Sequence, residues 1–310
     1  MAKVVITPRG FAKCGLDNVA LFEAAGIDLV YNDTGLSYTK EQFYDVTADA
    51  DGVVVGVELV DRAYIDAHPN LKAVVKFGVG TDNIDLDYCK EKNIFVGRTV
   101  GSNARSVAET AISFVIADSK NLYESYSSTR SGGWAKLTGY EIGGKTIGII
   151  GFGAIGREVA KMAYGLGMKV MAFDVCPIAD EFVKAWDVTV ASVDEILANA
   201  DFVSLHIPLM PSTKDFIGKK QLDMMKKSAV LINTARGGIV NEQELYEALS
   251  GGVIKAAYFD VFSSEPPAKD EPLMTLPNFY LTPHIASRSA EAEKNTADMS
   301  SRIIIEALMK

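Results

Sequence analysis

Several residue types that mark functional classes are scarce in this sequence. It holds only three cysteines, Cys14, Cys89 and Cys176, in 310 residues. Their number is odd, they stand far apart and no C-x-x-C spacing occurs, so neither a disulfide framework nor a cysteine-ligated metal is expected. Histidine is equally rare, with only His68, His206 and His284. No stretch approaches the roughly 18 apolar residues of a membrane-spanning helix. The opening MAKVVITPRG reads as a strand and lacks the apolar core of a signal peptide. Basic runs are missing, and the densest cluster is Lys226-Lys227. With 31 Lys and Arg against 40 Asp and Glu, the formal net charge is −9, and a basic face for nucleic acid is excluded. These absences predict a soluble protein of the reducing cytoplasm with no nucleic acid, membrane or metal as partner. In so acidic a chain, anion binding must draw on a few local cations, so each Arg or Lys inside a motif is informative.

Short apolar runs alternate with helical patterns along the whole chain. Val4–Thr7, Asp28–Tyr31, Gly52–Val55, Ala73–Lys76 and Ile94–Val96 form a first strand series. Thr146–Ile150, Lys169–Phe173, Phe202–Leu205, Ala229–Ile232, Ala256–Phe259 and Phe279–Leu281 form a second. Each run is continuously apolar rather than alternating, the pattern of strands buried on both faces of a parallel sheet. The intervening segments, such as Asp17–Ala25, Leu86–Lys92, Arg157–Tyr164 and Glu242–Leu249, suit crossover helices. The prediction is an α/β protein of two doubly wound parallel-sheet domains. A Rossmann-type domain over about 101–285 is inserted in a flavodoxin-like domain of 1–100 plus 286–310, with a cleft between them. A helix over Ser106–Leu122, capped by Ser102 or Asn103, leads into the inserted domain, and one over Ser289–Met309 returns the chain to the first. The Gly- and Ser-rich segment Ser127–Gly143 reads as an ordered surface arm around Trp134.

Gly151-Phe152-Gly153-Ala154-Ile155-Gly156 follows one of these strands and opens a helical pattern. The spacing G-x-G-x-x-G is weak alone but carries a mechanism in this setting. Gly151 permits the strand-to-helix turn, Gly153 lets a pyrophosphate approach the backbone, and Gly156 lets helix and strand pack closely. The helix N-terminus offers free N–H groups to the phosphates. Asp174 ends the next strand about 20 residues on, where a carboxylate accepts both ribose hydroxyls and repels a 2′-phosphate. No Arg stands beside it, so the expected cofactor is NAD.

Three further segments stand at strand ends. Asn233-Thr234-Ala235-Arg236-Gly237-Gly238, Asp260-Val261-Phe262-Ser263-Ser264-Glu265 and Thr282-Pro283-His284-Ile285-Ala286 each follow a strand of the second series. Ligands of open parallel sheets sit beyond the carboxyl ends of the strands, so an Arg, a Glu and a His converge on one crevice. With these motifs and the loop Lys76-Phe77-Gly78-Val79-Gly80-Thr81-Asp82-Asn83-Ile84-Asp85 in order over the whole length, the chain resembles the D-isomer-specific 2-hydroxyacid dehydrogenases, and within them the phosphoglycerate dehydrogenase branch.

That resemblance implies hydride transfer between NAD(H) and C2 of a D-2-hydroxy acid or its 2-oxo acid, by a homodimer. It implies catalytic roles for Arg236, Glu265 and His284. Chemistry agrees: Arg236 suits a carboxylate, His284 suits proton exchange near neutrality, and Glu265 suits the second imidazole nitrogen. Lys76, Gly78, Val79 and Gly80, with Arg236 and His284, are implied as substrate contacts. Ala154, Ile155, His206, Pro208, Thr213, Thr234, Ala235 and Asp260 join the glycines and Asp174 as implied cofactor contacts, Asp260 holding the nicotinamide carboxamide. Two positions depart from common members: Lys76 replaces an Arg, and Arg98 an Asn. Both add positive charge that suits a phosphorylated substrate, or Arg98 is a plain surface residue. The resemblance also admits a glyoxylate or hydroxypyruvate reductase, a D-lactate-type dehydrogenase, or an NAD-sensing corepressor-like protein. With the chain ending after one C-terminal helix, serine feedback through an appended regulatory domain is not expected.

Overall fold

A computed structural model describes residues 1–310. The chain forms two compact units, Met1–Asn103 with Ser287–Lys310, and Ala104–Ala286.

The first unit holds a five-stranded sheet of β1 (Ala2–Ile6), β2 (Ile27–Tyr31), β3 (Gly52–Val55), β4 (Ala73–Lys76) and β5 (Phe95–Arg98). Their order is β2-β1-β3-β4-β5 and every pairing is parallel, the flavodoxin-like winding. Successive side chains leave opposite faces, so a run such as Val53-Val54-Val55 feeds two cores at once. Val5, Val53, Val55 and Val74 pack on one side with Tyr64 and Tyr88. Val4, Ile6, Val54 and Val75 pack on the other against Ala297 and Ile304 of the last helix, Ala290–Leu308. That helix lies close enough to β5 that a Cβ on Gly97 would stand 2.5 Å from Ile303.

The second unit holds seven parallel strands: β6 (Thr146–Ile150), β7 (Lys169–Phe173), β8 (Val188–Val190), β9 (Phe202–Leu205), β10 (Val230–Asn233), β11 (Ala256–Phe259) and β12 (Phe279–Leu281). They run β12-β11-β10-β9-β6-β7-β8, the doubly wound Rossmann order with one strand added at an edge. Ile150, Leu205, Leu231 and Phe259 point into one core, and Ile149, Phe202, Ile232 and Tyr258 into the other. The order reverses direction between β6 and β9, and the glycine loop leaves β6 at that point.

Three local expectations need correction. The helix expected to end at Leu122 stops at Ser119, and a second one runs Leu122–Arg130 into the segment read as an arm. Asn121 between them adopts φ 50°, a left-handed conformation that Asn tolerates and that ends a helix. Neither Ser102 nor Asn103 caps the helix Ala104–Ser119. The Ser102 hydroxyl donates to Thr99 O and meets Thr296 Oγ1, and Asn103 Oδ1 is buried without a partner. Strand β8 was not anticipated, for only Val188 of its three residues is buried.

Candidate active site

Register places the chemistry. Asn233 of β10 pairs with Phe259 of β11, and Phe259 with Leu281 of β12, so the loops carrying Arg236, Glu265 and His284 leave three adjacent strands at the same end.

His284 Nδ1 lies 2.7 Å from Glu265 Oε2, and Glu265 Oε1 accepts the N–H of Phe262 at 3.0 Å. The pairing demands the Nδ1–H tautomer and leaves Nε2 for other work. The two side chains are 45% and 39% exposed, so their attraction is moderated by water. His284 itself adopts φ 53°, an uncommon conformation that its surroundings must enforce. The enforcing group is Asp260, 1% exposed at the end of β11. Its Oδ1 accepts Thr282 Oγ1 at 2.5 Å and Ile285 N at 2.9 Å, and its Oδ2 accepts Ala286 N at 2.7 Å. A buried carboxylate thus fixes the loop on both sides of His284, a task that sequence reasoning did not attach to Asp260.

Arg236 is half-buried and its Nη1 donates to Ala235 O at 2.7 Å. The buried Asn233 braces this turn, with Oδ1 accepting Ala235 N at 3.0 Å and Nδ2 donating to Arg236 O at 2.9 Å. Sequence reasoning passed over Asn233, although an Asn at a strand end before a turn is a known turn-former. Gly237 presses on the neighbouring loop so closely that a Cβ there would stand 2.1 Å from the carbonyl group of Phe262.

Around the glycine loop, Gly151 adopts φ 99°, and an added Cβ would meet His206 O at 2.5 Å. A Cβ on Gly156 would stand 2.2 Å from Gly151 O, whereas one on Gly153 would meet nothing within 4 Å. The strand-to-helix turn is therefore tight at both outer glycines and open at the middle one. Ala154 and Ile155 begin the helix Ala154–Gly165 above that opening. Asp174 accepts Phe152 N at 2.6 Å and Cys176 N at 2.9 Å, so it is fixed against the same loop. Thr213 Oγ1 donates to Pro208 O and accepts Met210 N, tying the loop after β9 to itself. Two buried polar atoms, His206 Nδ1 and Thr234 Oγ1, have no protein partner. Enclosure of the His206 ring pushes its pKa down to about 3, so it is neutral, and its Nε2 meets Ser204 Oγ at 2.9 Å. An open glycine cradle at a helix N-terminus, with unpartnered polar atoms at strand ends, fits a dinucleotide.

In the other unit, Lys76 ends β4, and its ammonium donates to Asn83 Oδ1 at 2.7 Å and to Gly56 O. Gly78 adopts φ 146°, and its carbonyl accepts both the N–H and the hydroxyl of Thr99. Val79 and Gly80 follow in the same half-exposed loop. Arg98 is exposed at the end of the edge strand β5. No group of three or more His, Cys, Asp or Glu is arranged to hold a metal ion.

Residues 112–286 match the family model of the D-isomer specific 2-hydroxyacid dehydrogenase, NAD binding domain. The chain belongs to the D-isomer specific 2-hydroxyacid dehydrogenase family. Among relatives, it is 41% identical to D-3-phosphoglycerate dehydrogenase of Methanocaldococcus jannaschii over 84% of this chain and 50% of that protein. It is 40% identical to hydroxypyruvate reductase of Thermotoga maritima over 82% of this chain and 84% of that one. The structure of D-lactate dehydrogenase with NAD+ from Lactobacillus jensenii superposes with a TM-score of 0.80 at 31% identity, covering 100% and 98% of the two chains. The chain thus spans half the length of the phosphoglycerate dehydrogenase it matches, but most of the reductase. Family membership makes the glycine loop part of an NAD-binding domain.

Proposed function

We propose that this protein is an NAD-dependent oxidoreductase that interconverts a D-2-hydroxy acid and its 2-oxo acid, with phosphoglycerate dehydrogenase-like chemistry. The observation that carries the reading is the 2.7 Å His284–Glu265 pair on the loops beside Arg236. Gly151, Gly153, Gly156 and Asp174, with the unpartnered atoms of His206 and Thr234, would hold NAD, which when bound would carry the hydride. Arg236 binds the carboxylate through its fork of N–H donors and polarises the 2-oxo group. His284 Nε2 takes the hydroxyl proton during oxidation and returns it during reduction. Glu265 keeps the imidazole in the required tautomer and stabilises the imidazolium. Asp260 holds the His284 loop in its left-handed turn. Lys76, Gly78, Val79 and Gly80 are assigned to the substrate, with Lys76 acting on the loop through Gly56 and Asn83.

Coverage favours a second reading. Relatives matched along most of their length include one named a hydroxypyruvate reductase and others named glyoxylate reductases, so a small unphosphorylated 2-oxo acid is the competing substrate. Oxidation of NADH, followed by its absorbance, with phosphorylated and unphosphorylated three-carbon 2-oxo acids and with glyoxylate decides between them. Turnover of none of these rejects the enzymatic reading and favours an NAD-sensing binding protein.

A cytoplasmic homodimer completes the proposal. All three cysteines are free, which suits a reducing compartment. No helix is long and apolar enough to cross a membrane. The dimer contact is assigned to the helix Ala104–Ser119 and to the arm beyond Arg130, where Trp134 is 81% exposed and Leu137 47%. That segment is anchored rather than free: Tyr123 stacks on Tyr258 and Tyr280 before it, and the Tyr140 hydroxyl donates to buried Asp118 after it. An anchored arm that shows a Trp to solvent suits a second copy of the chain.

A further inference from the structure

Glu242 opens the helix Glu242–Ser250, just after its cap Asn241. A glutamate in a first turn ordinarily faces water, where it complements the helix dipole. Glu242 instead turns back onto the loop after β11. Its Oε1 accepts the N–H of Ser263 at 2.8 Å, and its Oε2 accepts the Ser263 hydroxyl at 2.5 Å. Burial pushes the pKa of this half-buried carboxylate up, the two Ser263 bonds oppose that rise, and Glu271 and Asp215 add to it. The same stretch of loop is backed by Gly237, whose Cβ position would lie 2.1 Å from Phe262 C and 2.4 Å from Ser263 N. Residues 262–263 therefore lie hard against the backbone of Gly237. Phe262 N–H donates to Glu265, and Glu265 holds His284.

We propose that Glu242 is a positioning residue: by gripping Ser263 through both its N–H and its hydroxyl, it fixes the turn Phe262–Glu265 and so aims the Glu265 carboxylate at His284 Nδ1. This rests on the reading of Glu265 and His284 as the catalytic pair. Glu242 touches none of the reacting atoms. Its effect travels through one short turn whose other side is closed by a glycine that admits no side chain.

The test is Glu242→Gln, which keeps the size but removes the negative charge and one of the two acceptor oxygens that Ser263 uses. Two readouts are needed: steady-state reduction of a 2-oxo acid by NADH across pH, and the NMR titration of the His284 ring. His284 is the exposed histidine, 45% at its side chain, whereas His68 is 3% exposed and His206 is half-buried with its Nδ1 covered. His284→Asn assigns the signal. In Glu242→Gln, kcat should fall about 10–100-fold while NADH affinity stays within about twofold. Reduction should fall off at a lower pH than in wild type, and the His284 ring should titrate at a lower pH, towards the behaviour of Glu265→Gln. Ser263→Ala, which removes only the hydroxyl, should fall between. Adding Glu242→Gln to Glu265→Gln should cost no more than about a further threefold, because both act along one line. Wild-type kcat, pH profile and ring titration in Glu242→Gln would overturn the proposal. So would a loss that merely tracks the folded fraction with both pH readouts unchanged. If Glu242→Gln does not fold, the same readouts on Ser263→Ala decide. If wild type reduces no 2-oxo acid, the functional reading fails, and the ring titrations of wild type, Glu242→Gln and Glu265→Gln still decide whether Glu242 sets Glu265.

Discussion

Substitutions at His284 and Arg236 should fail in different ways, because one residue handles a proton and the other a charge. A proton moves only in the transition state, so His284→Ala should lower kcat by about 10²–10⁴-fold and leave NADH binding, read by fluorescence, unchanged. The carboxylate is bound in both ground and transition states. Arg236→Lys keeps the cation but loses the fork, and a lost charge-assisted bond of about 1.5–3 kcal/mol should raise KM at least about tenfold and lower kcat as well. Asp260 calls for a third pattern. Its buried carboxylate accepts three bonds from the residues flanking His284. Asp260→Asn puts an amide donor against those donors, so it should lower unfolding stability by about 2 kcal/mol in urea and kcat together. A variant that lost cofactor affinity alone, with stability intact, would return Asp260 to the carboxamide contact inferred from resemblance.

At the scale of elements, the strands of both units were legible because a parallel sheet covered on both faces requires continuous apolar runs. Gly52–Val55, Thr146–Ile150 and Phe202–Leu205 have the ends the sequence suggested. The glycine motif was legible for a related reason: Gly156 lies where a Cβ would be 2.2 Å from Gly151 O. Gly156→Ala should therefore force the helix off the strand, weakening NADH binding and lowering the melting temperature together; a variant with wild-type Kd and Tm would refute this packing role. Features set by tertiary contact were not legible. Val188–Val190 is a strand only because β7 lies beside it, and the break at Asn121 depends on a single left-handed residue in an otherwise helical pattern. The grips of Asp260 and Glu242 were hidden for the same cause, since a side chain's partner from another loop leaves no periodicity in the sequence. Arg236, Glu265 and His284 were picked out because strand ends of an open sheet are where function gathers.

For the whole molecule, the proposed dimer predicts a particle of about twice 33.4 kDa by light scattering at micromolar concentration. Trp134→Ala combined with Leu137→Asp should shift it towards the single chain, since both side chains stand exposed on the arm; an unchanged mass would place the contact elsewhere. The path of the chain has its own outcome. The unit Ala104–Ala286 starts and finishes at one place, for the Ser106 hydroxyl donates to Ala286 O at 2.6 Å. In the other unit, Ser102, just before the chain departs, meets Thr296 Oγ1 at 2.7 Å on the helix that follows its return. A segment with adjoining ends behaves as a cassette. Joining those ends through a short linker should therefore cost little loop-closure entropy, as should closing the gap left in the other unit.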